Sequence, residues 1–157
     1  MSPLRAIRRA TAADAGELAR IINLAYVVEE SFVAGPRTSS AEVERLCGRG
    51  RFLVLEEDRE PVGCVYLELS GERAYLGLLA VLPERQGGGR GRALVEAVEA
   101  TGRAEGARAV DLRVVDLREE LHGFYQRLGY RAVGSAPFPD GERVKRPVAF
   151  VIYEKAL

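Results

Sequence analysis

The sequence predicts a single mixed α/β domain over residues 1–157, and three observations lead there. A chain of 157 residues with 47% hydrophobic and 29% charged residues suits one globular core. Apolar alternation recurs in short segments up to Val81, as in antiparallel strands joined by hairpins. Beyond Pro83 the pattern turns to helices alternating with strands, with no internal repeat and no linker.

Ala6–Arg9 reads as the opening strand. Asp14 then fits the N-cap of a helix whose apolar face carries Leu18, Ile21, Ile22 and Ala25. Val28–Ser39 contains Gly35-Pro36 and breaks this pattern, which predicts a loop or a short helix. Ser39 and Glu42 fit a capping box for a second helix ending near Gly48. Arg51–Leu55 and Val62–Leu69 read as strands across the charged connection Glu56–Pro61, and Ser70-Gly71-Glu72 leads into a third, Ala74–Val81. Pro83 ends it because proline has no N–H for a ladder.

After Gln86–Gly91, the residues Ala93, Leu94, Ala97, Val98 and Thr101 share one helical face, and Gly102 and Gly106 bracket the exit. Val110, Leu112 and Val114 alternate like a strand. Asp116 and Glu119 fit another capping box, for a helix carrying Leu121, Phe124, Tyr125 and Leu128 and stopping at Gly129. Tyr130–Val133 and Val148–Tyr153 are the last strands. The polar loop between them, Gly134–Pro147, is long enough to suggest a functional or assembly role.

Composition excludes several classes. Lys plus Arg and Asp plus Glu both number 23, so no net charge draws the chain to nucleic acid. No apolar run approaches the roughly 18 residues of a membrane span, and the basic start lacks the apolar core of a signal peptide. Cys47 and Cys64 are far apart and His122 is the single histidine, so neither a disulfide framework nor a metal site is expected. A cytoplasmic protein is the expectation.

Gln86-Gly87-Gly88-Gly89-Arg90-Gly91 is the most informative segment. Glycines let the backbone turn tightly and approach a ligand, and a helix starting near Gly89–Arg90 offers free amides to an anion such as phosphate. Arg85, Arg90 and Arg92 add charge there, each expected as a surface contact. The plainer reading is a glycine-rich connection without a ligand. A P-loop would need Lys and then Ser/Thr where Arg90-Gly91-Arg92 stands, and a dinucleotide fingerprint would need glycine at Leu94. An arginine–glycine RNA-binding tract is disfavoured by its shortness and by the balanced charge.

The stretch Leu79–Gly91 resembles the GNAT superfamily of N-acetyltransferases. There a strand ending in Val-x-Pro precedes Arg/Gln-x-x-Gly-x-Gly/Ala, and Val81, Pro83, Gln86, Gly89 and Gly91 occupy those places. Leu121–Tyr130 resembles the family's later Ala-x-x-Phe/Leu-Tyr-x-x-x-Gly-Phe/Tyr segment, with Leu121 in place of the alanine and Arg118 in place of a common upstream asparagine. The resemblance implies a GNAT-like acyl-CoA N-acyltransferase fold, a central mixed sheet whose parallel strands splay apart between flanking helices. It implies acetyl-CoA as acyl donor and no metal. It further implies pyrophosphate binding by the amides of Gln86, Gly87, Gly88, Gly89, Arg90 and Gly91, helped by Arg92, and pairing of the pantetheine arm with Leu79, Ala80 and Val81.

The implied reaction is attack by a primary amine on the thioester within a ternary complex, which needs positioning, oxyanion stabilisation and proton transfer. The resemblance gives Tyr125 the catalytic role of protonating the departing thiolate and coenzyme contact; packing on an amphipathic helix is its other reading. No acid lies in Tyr75–Ala80 to serve as base. On the acceptor side stand Tyr26, Glu29, Glu30 and Glu68, with Phe32 and the Gly134–Arg146 loop; the carboxylates would hold a cationic amine, or are simply solvated. Glu68 and Glu72 are weak alternatives for the general base. His122 and Cys64 read as packing residues. The partner is a small-molecule or peptide amine, not nucleic acid or membrane, and a homodimer is implied by the resemblance. A catalytically silent acyl-CoA-binding module, or an acyltransferase with another donor, is the alternative.

Overall fold

A computed structural model describes residues 4–139 and 141–157, so Met1–Pro3 and Asp140 of the predicted loop lie outside the described residues. The chain runs β1 (Arg5–Arg9), α1 (Ala15–Ala25), α2 (Ser40–Cys47), β2 (Arg51–Glu57), β3 (Glu60–Ser70), β4 (Arg73–Val81), α3 (Arg90–Ala104), β5 (Ala109–Val115), α4 (Glu119–Arg127), β6 (Arg131–Pro137) and β7 (Ala149–Ala156). These strands make one sheet of seven in the order β1-β2-β3-β4-β5-β7-β6. Only β4 and β5 are parallel.

Successive residues are buried along β2 and from Val62 to Leu67 of β3, so both faces of the sheet centre are covered. The helices that cover it are α1, against β3 and β4, and α3, across β2 to β5. Phe52, Leu18, Ile21, Ile22 and Leu94 are among the largest fully buried side chains. This burial of apolar surface is the main driving force for folding.

Two features set up the site. The parallel pairing covers only Arg73–Tyr75 against Ala109–Asp111, after which β4 and β5 part company, as the predicted fold requires. Just past that point β4 carries an extra residue, because Cys64 faces Ala80 whereas Tyr66 faces Gly77. Leu78 lies in this bulge with φ of 47°, a backbone region that a branched side chain rarely adopts.

Three local expectations are corrected. Asp14 stands at the N-cap position of α1 as expected, but its side chain does not cap the helix: the carboxylate accepts from the Thr11 N–H at 2.7 Å and from Arg8 at 2.9 and 2.8 Å, closing a 3-10 turn before the helix. Asp116 forms no capping box with Glu119; its Oδ1 accepts the Ala149 N–H at 3.1 Å and ties β5 to β7. The sixth strand reaches Pro137, shortening the expected loop. It is an exposed edge strand, so burial imposes no alternation on Val-Gly-Ser-Ala for a sequence reading to detect. The Ser39 cap is as expected, its hydroxyl accepting from the Glu42 N–H at 3.2 Å.

Candidate active site

Where β4 and β5 diverge, the sheet opens into a cleft of about 1920 Å³. Its walls include Leu79, Ala80 and Val81 of β4, the turn residues Gln86, Gly87, Gly89, Arg90, Gly91 and Arg92, and Tyr125 of α4. Tyr26, Glu29, Glu30 and Glu68 line it as well. Of the residues singled out from sequence for the site, Gly88, Arg85, Phe32 and Glu72 are not in its wall.

Gly87, Gly88 and Gly89 have φ of 91°, 63° and 76°, so three successive residues occupy left-handed backbone before α3 begins at Arg90. An L side chain costs about 1–2 kcal/mol at each such position, which is why glycine stands there. Among the described residues, the amides of Gly87, Gly88, Gly89, Gly91 and Arg92 have no backbone acceptor. The carbonyls of the turn are engaged instead. Arg90 Nη1 donates to Arg85 O at 3.0 Å and to Gly87 O at 3.2 Å, and Arg5 Nη2 donates to Gly88 O at 3.2 Å. With carbonyls drawn to one side and amides left on the other, the turn is a concavity suited to an anion. Gly91 serves a different purpose, since a Cβ there would stand 3.3 Å from Phe124 Cζ of α4.

One buried carboxylate holds these guanidiniums. Glu57, at the end of β2, accepts from Arg90 Nε at 2.8 Å, Arg85 Nη1 at 3.1 Å and Arg5 Nε at 3.2 Å, and its side chain is wholly inaccessible. The Arg90 hydrogen bond, more than any other influence, keeps this carboxyl below its usual range despite burial. The expectation of separate surface arginines is therefore corrected for Arg85 and Arg90; Arg92 pairs with Glu96 on the helix surface at 2.6 Å. Nothing in the sequence points to Glu57, whose partners lie up to 52 residues away. Gln86 Nε2 donates to Val81 O at 3.3 Å and fastens the turn to the strand end.

Tyr125 is 5% exposed, and its ring packs edge-on against Phe124 and Tyr130 at centroid distances of 5.0 and 5.7 Å. Its hydroxyl makes no hydrogen bond among the described residues, while the side chain lines the cleft. Burial raises the phenol far above its usual value, so it remains a neutral donor.

The residues expected on the acceptor side line the same cleft, each with its own partners. Glu29 is buried and accepts from Arg118 Nη1 at 2.7 Å; burial raises its carboxyl and Arg118 opposes that rise. Glu30 is exposed, and its carbonyl accepts from Lys145 at 2.7 Å. Glu68 accepts from the Tyr66 hydroxyl at 2.7 Å and faces Arg49 at 3.5 Å. Tyr26, its phenol pushed up to about 12 by burial, lies beneath Arg37 at 5.4 Å. The cleft also takes in Tyr75, Arg37, Arg113 and Arg118, none of which the sequence reading selects as a site residue. Tyr75 and Arg113 stand at the outward positions of alternating strands, which is the available signal.

His122 is half-buried on α4 and Cys64 is buried in β3. Both His122 ring nitrogens are engaged, with the Tyr153 hydroxyl at 2.6 Å and Asp116 O at 3.1 Å, and burial pushes the Cys64 thiol up to about 12. Among the described residues no cluster of His, Cys, Asp and Glu is arranged to hold a metal, and no helix is long and apolar enough to cross a membrane.

Comparison with known proteins gives a consistent result. The family described as Acetyltransferase (GNAT) family matches residues 19–130. An acetyltransferase from Thermus thermophilus superposes with a TM-score of 0.78 at 24% identity, covering 100% of both chains. The PaiA N-acetyltransferase from Thermoplasma acidophilum, solved in complex with coenzyme A, gives 0.79 at 17% identity over 98% of this chain and 99% of that one. YncA from Salmonella typhimurium, solved with its cofactor acetyl-CoA, gives 0.74 at 20% identity over 98% and 94%.

Proposed function

This chain belongs to the acetyltransferase (GNAT) family, and on that premise we propose that it transfers an acetyl group from acetyl-coenzyme A to a primary amine in a ternary complex. The observation that carries this reading is one cleft with unengaged amides of a glycine turn in one part of its wall and an unengaged phenol in another. The amides of Gly87, Gly88, Gly89, Gly91 and Arg92 bind the pyrophosphate. Beyond Tyr75 the β5-facing edge of β4 has no strand partner, and the pantetheine arm takes that place. The neutral amine attacks the thioester carbon, the carbon–sulfur bond breaks as Tyr125 gives its proton to the departing thiolate, and the proton shed by the new amide nitrogen passes to water, from which the Tyr125 phenol is restored. The strained bulge at Leu78 aims a strand-end amide near Leu79–Val81 at the developing oxyanion.

No carboxylate is assigned as base. Glu29 is committed to Arg118 and Glu68 to Tyr66, so the amine loses its proton to water before or during binding. The reading carries with it a single domain acting as a cytoplasmic homodimer, which sedimentation of the purified protein tests. Incubation with acetyl-coenzyme A and a broad amine library, with products read by mass spectrometry, tests the activity. Acetylated amine is the expected product. Coenzyme A release at the same rate with and without amine would sink the transferase reading.

A further inference from the structure

The arginines that line the cleft are not equivalent. Arg20 is paired with Glu17, Arg92 with Glu96, Arg118 with Glu29 and Arg90 with Glu57. Arg37 and Arg113 have no carboxylate partner among the described residues. Each instead lies over an aromatic ring, Arg37 at 5.4 Å from the Tyr26 centroid and Arg113 at 6.0 Å from that of Phe150. Stacking occupies the face of a guanidinium and leaves its N–H edge free for a planar oxyanion.

The two come from distant parts of the fold, one from the segment before α2 and one from β5. Both line the cleft together with Tyr75, which stands at the last paired step before the strands part. The Tyr75 ring lies along β4 over Gly77, where a Cβ would meet it at 2.9 Å. Burial raises the Tyr75 phenol, and the charges of Arg37 and Arg113 both oppose that rise, which puts both cations within electrostatic reach of one atom. The nearby acids are bonded elsewhere: Glu29, within electrostatic reach of Arg37, pairs directly with Arg118, while Glu68 is turned to Tyr66 and Arg49 and Asp111 to Arg73.

We propose that the acceptor is a small amine bearing an oxyanion, a carboxylate or a phosphate, which Arg37 and Arg113 grip beside the opened strands while its amine faces the thioester. This replaces the sequence-based expectation of a cationic amine held by carboxylates, and it rests on the acetyltransferase reading above. Binding is measured by calorimetry on the protein saturated with coenzyme A, so that it does not depend on turnover. The panel comprises amino carboxylates, their neutral amides, phosphate-bearing amines and polyamines.

Acids or phosphate-bearing amines should bind about tenfold more tightly than their neutral counterparts, the scale of one partly solvated charge-assisted contact. The better of the two classes identifies the oxyanion. Arg37→Gln and Arg113→Gln should each reduce that preference and the double variant abolish it, with coenzyme A affinity unchanged. Equal binding of acid and amide, tightest binding of polyamines, binding of no member, or a preference that survives the double variant would overturn the proposal. Wild-type protein that fails to bind coenzyme A at all would overturn the underlying function as well, which separates the two failures.

Discussion

Replacing Glu57 by glutamine keeps the shape of the residue and removes the charge that gathers three guanidiniums under the glycine turn. The cluster of Arg5, Arg85, Arg90 and Glu57 carries a formal charge of +2 and would rise to +3. Stranding a fully buried partner typically costs about 3–5 kcal/mol. Here Arg5 and Arg85 are 35% and 39% exposed and can turn to water, whereas Arg90 is only 16% exposed. The loss is therefore closer to about 2 kcal/mol, or a fall in Tm of roughly 4–8 °C for a chain of this size. Arg90 also holds the carbonyls of Arg85 and Gly87 away from the cleft, so its release lets the turn rearrange and weakens coenzyme A binding by about tenfold. Thermal unfolding and calorimetric titration measure the two effects, and a Glu57→Gln, Arg90→Gln double variant tests their common origin. The double variant should be no worse for coenzyme A than the more affected single one. A Glu57→Gln protein with unchanged Tm and affinity would refute the idea that this carboxylate positions the turn.

Tyr125→Phe should lower kcat by about a hundredfold under chemistry-limited conditions, the lower end for a general acid, while stability stays put because the hydroxyl bonds no described residue; full turnover would make the ring a packing residue only. Gly89→Ala meets nothing within 4 Å and should cost only the left-handed backbone penalty of about 1–2 kcal/mol in thermal unfolding. Gly88→Ala should bind coenzyme A worse than Gly89→Ala, because its Cβ would stand 2.8 Å from Arg90 Nη1 and displace the guanidinium. Asp14, its carboxyl lowered from 3.8 to about 2 chiefly by Arg8, contributes stability that is complete above pH 4 and lost as the pH falls toward 2. That contribution is about 2 kcal/mol, so Asp14→Asn should flatten the acid side of a stability–pH curve by that amount.

The parts of this site that can be read from sequence are those where backbone geometry dictates residue type. Three left-handed positions at Gly87–Gly89 demand glycine, and the close approach of Phe124 excludes a larger residue at Gly91. Such constraints leave a local, ordered mark. Strands β2 to β5 are visible for a related reason, because their burial fixes apolar residues at successive or alternate positions. The edge strand β6 lacks that burial, and its full extent escapes the pattern.

The acceptor side is built otherwise. Glu29 and Arg118 meet across 89 residues, and Arg37 and Arg113 reach the cleft from separate segments. A charge in a sequence has no visible partner, so Glu29 and Glu30 look alike although one is buried in an ion pair and the other is exposed. The bulge at Leu78 is hidden more deeply still. Leu76, Leu78 and Ala80 alternate as an ordinary strand would, yet the extra residue falls between Gly77 and Ala80. Its leucine sits in strained backbone of order 1–3 kcal/mol, held there by the buried neighbours on either side. Pattern reports which side of a strand is buried but not where the strand departs from that pattern; the glycine turn is therefore legible in the sequence, whereas on the opposite wall only which residues line the cleft is legible, and not how they pair.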